Sequence, residues 1–116
     1  MKIHLEQVLK DYRGMDVEQV NEEEKNEKFT VRLAINSAVN GIEVTPDGRQ
    51  KPLTVEEKGK IYQLSNVIWG AKNEVELTVD DVSFIKKRMD AVSNTTPLVY
   101  GRLLEILEGK DGKKGK

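Results

Sequence analysis

The sequence contains no cysteine, which excludes disulfides, thiolate metal sites and a cysteine nucleophile and leaves the redox compartment open. Histidine is nearly missing as well. His4 stands alone, without a second imidazole or a thiol to share a metal, so the expected role is a surface strand residue. Apolar runs are short: none approaches the roughly 20 residues that span a bilayer, and the first residues lack the apolar stretch of a secretory leader. A cytoplasmic chain with no membrane partner is therefore expected. No phosphate-binding glycine loop occurs, and Ser37, Ser65, Ser83 and Ser93 lie outside any glycine-flanked elbow. The run Glu22-Glu23-Glu24 lacks the alternating oxygen ligands and the glycine of a calcium loop, and reads as a solvated stretch. These absences predict no catalytic residue, no metal and no cofactor, hence a non-enzyme.

The 116 residues carry 37% apolar and 34% charged side chains, enough for one domain with a modest core and a largely wetted surface. Charge is unevenly placed. Residues 110–116 hold four lysines and one aspartate, a net +3, which leaves residues 1–109 at −4 within the overall −1. A globular domain over 1–109 followed by a disordered basic tail over 110–116 is expected. An acidic body also means that any nucleic-acid surface would have to be local.

Three threonines organise the second half. Thr54 is followed three residues later by Glu57, the spacing of a capping box, and a helix is predicted through Trp69 with Gly70 as its stop. The arrangement recurs at Thr78 and Asp81, predicting a helix over 79–92 whose first turn is acidic and whose later turns hold Lys86, Lys87 and Arg88, the order the helix dipole favours. Thr96-Pro97 opens a third helix, with proline where its missing amide costs nothing, running through Leu107 to Gly109. Upstream, Val31, Ala34, Ile35, Ala38 and Val39 recur on one helical face ahead of Gly41. Ile3 and Leu5 alternate with polar neighbours, and residues 15–20 are placed to pair back on them across a turn at 11–14, with a helical turn over 6–10 as the alternative. Residues 21–28 read as an exposed loop, and Thr45-Pro46-Asp47-Gly48 as a turn. The predicted architecture is mainly α, a small bundle of about four helices with a short N-terminal β-hairpin.

On the helix after Thr54, Ile61, Leu64 and Ile68 form one stripe, while Val55, Tyr62 and Trp69 form a second about a quarter turn away. A single wide core face is the expected arrangement. The alternative exposes Tyr62 and Trp69, with Phe84 on the next helix, as anchors for a protein partner. The last helix, apolar over nearly half its circumference, is expected to be the most buried, and Gly59 and Gly101 to mark close helix approach or a kink.

The runs Leu53-Thr54-Val55-Glu56-Glu57-Lys58, Val75-Glu76-Leu77-Thr78-Val79-Asp80-Asp81 and Pro97-Leu98-Val99-Tyr100-Gly101 resemble a group of small bacteriophage and prophage proteins over the C-terminal half. The resemblance implies a host bacterial cytoplasm and a phage accessory protein that binds another protein. No site residues carry over from it. The alternative is a nucleic-acid-binding accessory in which the turn at 93–97 joins a helix-turn-helix-like pair, with Lys86, Lys87, Arg88, Arg102 and the tail lysines meeting phosphates.

Overall fold

The computed structural model describes residues 1–92 and 95–109; the predicted basic tail therefore lies outside the described residues. In chain order the elements are β1 (Lys2–His4), β2 (Glu18–Val20), β3 (Asn26–Lys28), α1 (Val31–Val39), α2 (Val55–Gly70), β4 (Glu74–Glu76), α3 (Val79–Ala91) and α4 (Pro97–Leu107).

The helices form where the local chemistry places them. Thr54 Oγ1 accepts from the Glu57 amide (3.1 Å) while Glu57 accepts from the Thr54 amide (2.9 Å). Thr78 and Asp81 repeat the exchange at 3.0 Å in each direction. Each box satisfies two amides that a helix start leaves without partners. Thr96 caps α4 above Pro97, and Thr30 caps α1 through the Leu33 amide. At the far end of α4, Gly109 takes φ +75°, the left-handed conformation glycine adopts without steric cost.

The mainly α prediction is corrected by the sheets. Among the described residues, 19% are paired as strand or bridge beside 46% helix, in two separate two-stranded antiparallel sheets, so the domain is a mixed α/β fold. The predicted hairpin between residues 3–5 and 15–20 does not form. Instead β1 pairs with β4 far along the chain, with Ile3 opposite Val75. Residues 15–20 still turn back on residues 9–11, through a bridge between Lys10 and Asp16. β2 then pairs with β3, Gln19 opposite Glu27, where an exposed loop was expected. Asn21 Oδ1 closes that hairpin by accepting from the amides of Glu23 (2.9 Å) and Lys25 (3.1 Å). Strands of three residues are too short to show an alternation, and β3 is wholly polar.

α1 is the centre, touching α2, α3 and α4; this corrects the expectation that α4 is the most buried helix. It buries Val31, Arg32, Ala34, Ile35, Ala38 and Val39, and its two alanines leave room for three neighbours at once. α4 buries Leu103, Ile106 and Leu107 and leaves Val99, Tyr100 and Leu104 half covered. Around α1 lie Ile3, Leu5 and Leu9 from the N-terminal segment, Ile61, Leu64 and Ile68 of α2, and Ile85 and Met89 of α3.

Neither Gly59 nor Gly101 marks a close approach: a Cβ at either position would meet nothing within 4 Å. Alanine at each is expected to stabilise the fold by up to about 1 kcal/mol through helix propensity. Denaturant midpoints of the two single variants measure this, and a fall in either midpoint would show an unseen steric demand.

Candidate partner-binding surface

Positions seven apart on a helix return to nearly the same face. On α2 that face looks outward. Val55 is 81%, Tyr62 72% and Trp69 52% exposed, whereas Ile61, Leu64 and Ile68 point into the core. The expected single wide core face is thus replaced by two stripes with opposite surroundings. The physical reason is that among the helices α2 packs chiefly on α1, and one main neighbour covers only one stripe.

Trp69 is exposed yet held. Its indole Nε1 donates to Asn36 Oδ1 (3.0 Å), and the same oxygen accepts from Asn40 Nδ2 (3.0 Å), which also reaches Ser65 Oγ (3.1 Å). This seam ties the outward edge of α1 to α2. On the ring itself lies the Arg32 guanidinium, its carbon 5.9 Å from the indole centroid, within cation–π range. Arg32 is buried, and donates to the carbonyls of Ile68 (2.6 Å), Ala71 (2.8 Å) and Lys72 (2.5 Å) and to Glu6 Oε2 (2.7 Å). Those three carbonyls belong to the end of α2 and the chain just after it, where a helix leaves acceptors unmatched.

Beside Trp69 opens a depression of about 530 Å³, lined by Leu33, by Val20 and Gln19 of β2, and by Asn21, Glu22, Glu23 and Glu27 of the hairpin. Val20 is 65% exposed. Among the carboxylates, Glu27 accepts from Gln19 Nε2 (2.8 Å) and Glu23 lies 4.0 Å from Lys25.

Phe84 is elsewhere. It is half-buried against the core and faces a second depression, of about 610 Å³, between the starts of α2 and α3. It therefore does not share a surface patch with Trp69. Lys60 of that groove donates to Asp81 of α3. Burial works to raise its carboxyl, but Lys60 and the Thr78 amide outweigh burial and hold it below the usual aspartate range.

No protein-family model, curated protein or solved structure matches the chain.

The basic residues named for phosphate contact are largely engaged. Arg88 is 1% exposed and donates to the carbonyls of Val39 (3.3 Å) and Gly41 (2.7 Å) and to Glu43. Arg102 donates to the carbonyls of Lys10 (2.9 Å) and Asp11 (2.8 Å), and Lys86 lies 3.4 Å from Glu108. Lys87 is exposed. The proposed turn includes Ser93 and Asn94, which lie outside the described residues. His4 is exposed on β1 with Nδ1 3.1 Å from Glu74. Among the described residues no group of three metal-binding side chains converges, and no helix is long and apolar enough to cross a membrane.

The residues that sequence reasoning missed are Asn36, Asn40, Arg32, Leu33 and Val20. Asn36 and Asn40 carried a legible signal, since two amides four apart share a helix face. A lone arginine among the apolar positions of α1 was a second.

Proposed function

We propose that this chain is a non-enzymatic accessory protein that works by binding another protein through the outward face of α2, with Tyr62 and Trp69 as anchors. The observation that carries the reading is Trp69: a large aromatic half in solvent, its orientation set by Asn36 and Arg32. Ordering an interface side chain before contact lowers the entropy lost on association, and tryptophan and tyrosine are the residues most enriched at energetic centres of interfaces. The phage or prophage setting implied by the sequence resemblance belongs to this proposal, as does a cytoplasmic location in the bacterial host.

The test is co-purification from host or phage-infected lysate, followed by affinity measurement with single variants. Trp69→Ala is expected to weaken the complex by about 2 kcal/mol or more, roughly thirtyfold. Tyr62→Ala is expected to weaken it too, while leaving folding stability within about 0.5 kcal/mol because its side chain stands in solvent. If neither variant changes affinity for a retained partner, this face is not the interface. Sequence-selective duplex binding by the chain lacking residues 110–116 would replace the reading with nucleic-acid recognition.

A further inference from the structure

The depression beside Trp69 has a chemical bias that names the partner's side of the contact. Its wall is an indole, its flank is the aliphatic surface of Val20 and Leu33, and its rim carries Glu22, Glu23 and Glu27. The adjoining turn adds Glu24; of the two lysines of the hairpin, Lys28 is held by Glu18 (2.9 Å) and Asp16 (3.2 Å), and Lys25 lies in the turn. Glu22 has no cationic partner among the described residues. We propose that this depression receives an arginine-bearing basic segment of the partner protein; the inference rests on the reading of the α2 face as a docking surface.

Each part of the depression matches a part of that side chain. A guanidinium is planar, stacks on indole and bonds carboxylates in a two-pronged fashion, and its methylene stem covers apolar surface. Lysine offers a point charge and no plane. The arrangement on the other side of the seam is already of this kind, with Arg32 on the Trp69 ring and bonded to Glu6. An acidic segment or a nucleic-acid backbone would be repelled by the same carboxylates, since like charges brought together at an interface are costly.

Trp69 is the sole tryptophan, so its emission reports on this site directly. The experiment titrates the full chain with a synthetic arginine–glycine repeat peptide, with its lysine–glycine and glutamate–glycine counterparts as comparisons. The expected result is a saturable change in Trp69 emission with the arginine peptide, weaker with the lysine peptide, absent with the glutamate peptide, and reduced by added salt. The triple variant E22Q/E23Q/E27Q, in which Glu22 and Glu23 are exposed and Glu27 is half-buried beside Gln19, and whose fold is checked by circular dichroism, is expected to bind the arginine peptide about tenfold more weakly. Equal binding by the triple variant, or equal binding of the glutamate peptide, overturns the proposal. So does an emission change that follows protein concentration alone and that no peptide reverses, since the occupant is then a second copy of the chain. Capture of a protein that needs Trp69 but is unaffected by the triple substitution overturns the basic-segment inference while leaving the docking reading intact.

Discussion

Replacing Arg88 by alanine is expected to cost about 3–5 kcal/mol, the range seen when one partner of a buried ion pair is removed. The reason is what Arg88 leaves behind. Its guanidinium satisfies the carbonyls of Val39, the last residue of α1, and of Gly41 just beyond it, and pairs with Glu43, whose side chain is 12% exposed. Without the arginine, those acceptors stay out of water with no donor, and a cavity opens beneath α3. Lys51, 3.3 Å from Glu43, relieves only part of the stranded charge. In a domain with about 5–15 kcal/mol of total stability this loss is a large fraction, and the urea midpoint measures it. Arg88→Met combined with Glu43→Gln is expected to recover more than half, because removing the charges together avoids the unpaired carboxylate. A loss below about 1 kcal/mol for Arg88→Ala would show that solvent reaches these groups.

Arg32→Ala should be second in size, at about 3 kcal/mol, from three carbonyls left without donors at roughly 1–3 kcal/mol each less relaxation and hydration. Glu6 contributes little to this figure, since its side chain is 57% exposed. The variant carries a second signature that Arg88→Ala lacks. Trp69 loses the cation on its ring, and its emission is expected to move to longer wavelength while the chain is still folded. Arg32→Lys is not expected to restore stability, because one ammonium cannot reach the carbonyls of Ile68, Ala71 and Lys72 as a guanidinium fork does. Unchanged emission in folded Arg32→Ala would mean that Asn36 alone orients the indole.

These two arginines show where reading the sequence succeeds and where it stops. The starts of α2, α3 and α4 were legible because a cap is a local event, settled within four residues of Thr54, Thr78 and Thr96. Thr30 escaped notice because Leu33, three residues on, cannot return the capping bond that Glu57 and Asp81 return. Arg88 looked like its neighbours Lys86 and Lys87, all three suited to the late turns of a helix. What separates it is Glu43, 45 positions away, and nothing local encodes that meeting. The strands fail for the same reason: the partner of Ile3 is Val75, and Val75 between two glutamates reads as connector. The surface was half visible. A seven-residue spacing put Tyr62 and Trp69 on one face, but whether that face met core or water depended on how many helices pack on α2. The acidic rim was visible only as a polar run, since its meeting with Trp69 requires the β2–β3 hairpin to fold over α1.

The β1–β4 pairing has a consequence for synthesis. Contacts between residues distant in sequence form late, since closing the intervening loop costs entropy before any bond is gained. On the ribosome β1 emerges about 70 residues ahead of β4, a wait on the order of 5 s at usual elongation rates. Throughout it Ile3, Leu5 and Leu9 have no completed core to enter, and the open edge of β1 can pair with any extended chain nearby. The nascent chain thus presents an apolar, strand-forming segment to chaperones for most of its translation, and its yield in a cell depends on how quickly α2 and β4 arrive to cover it.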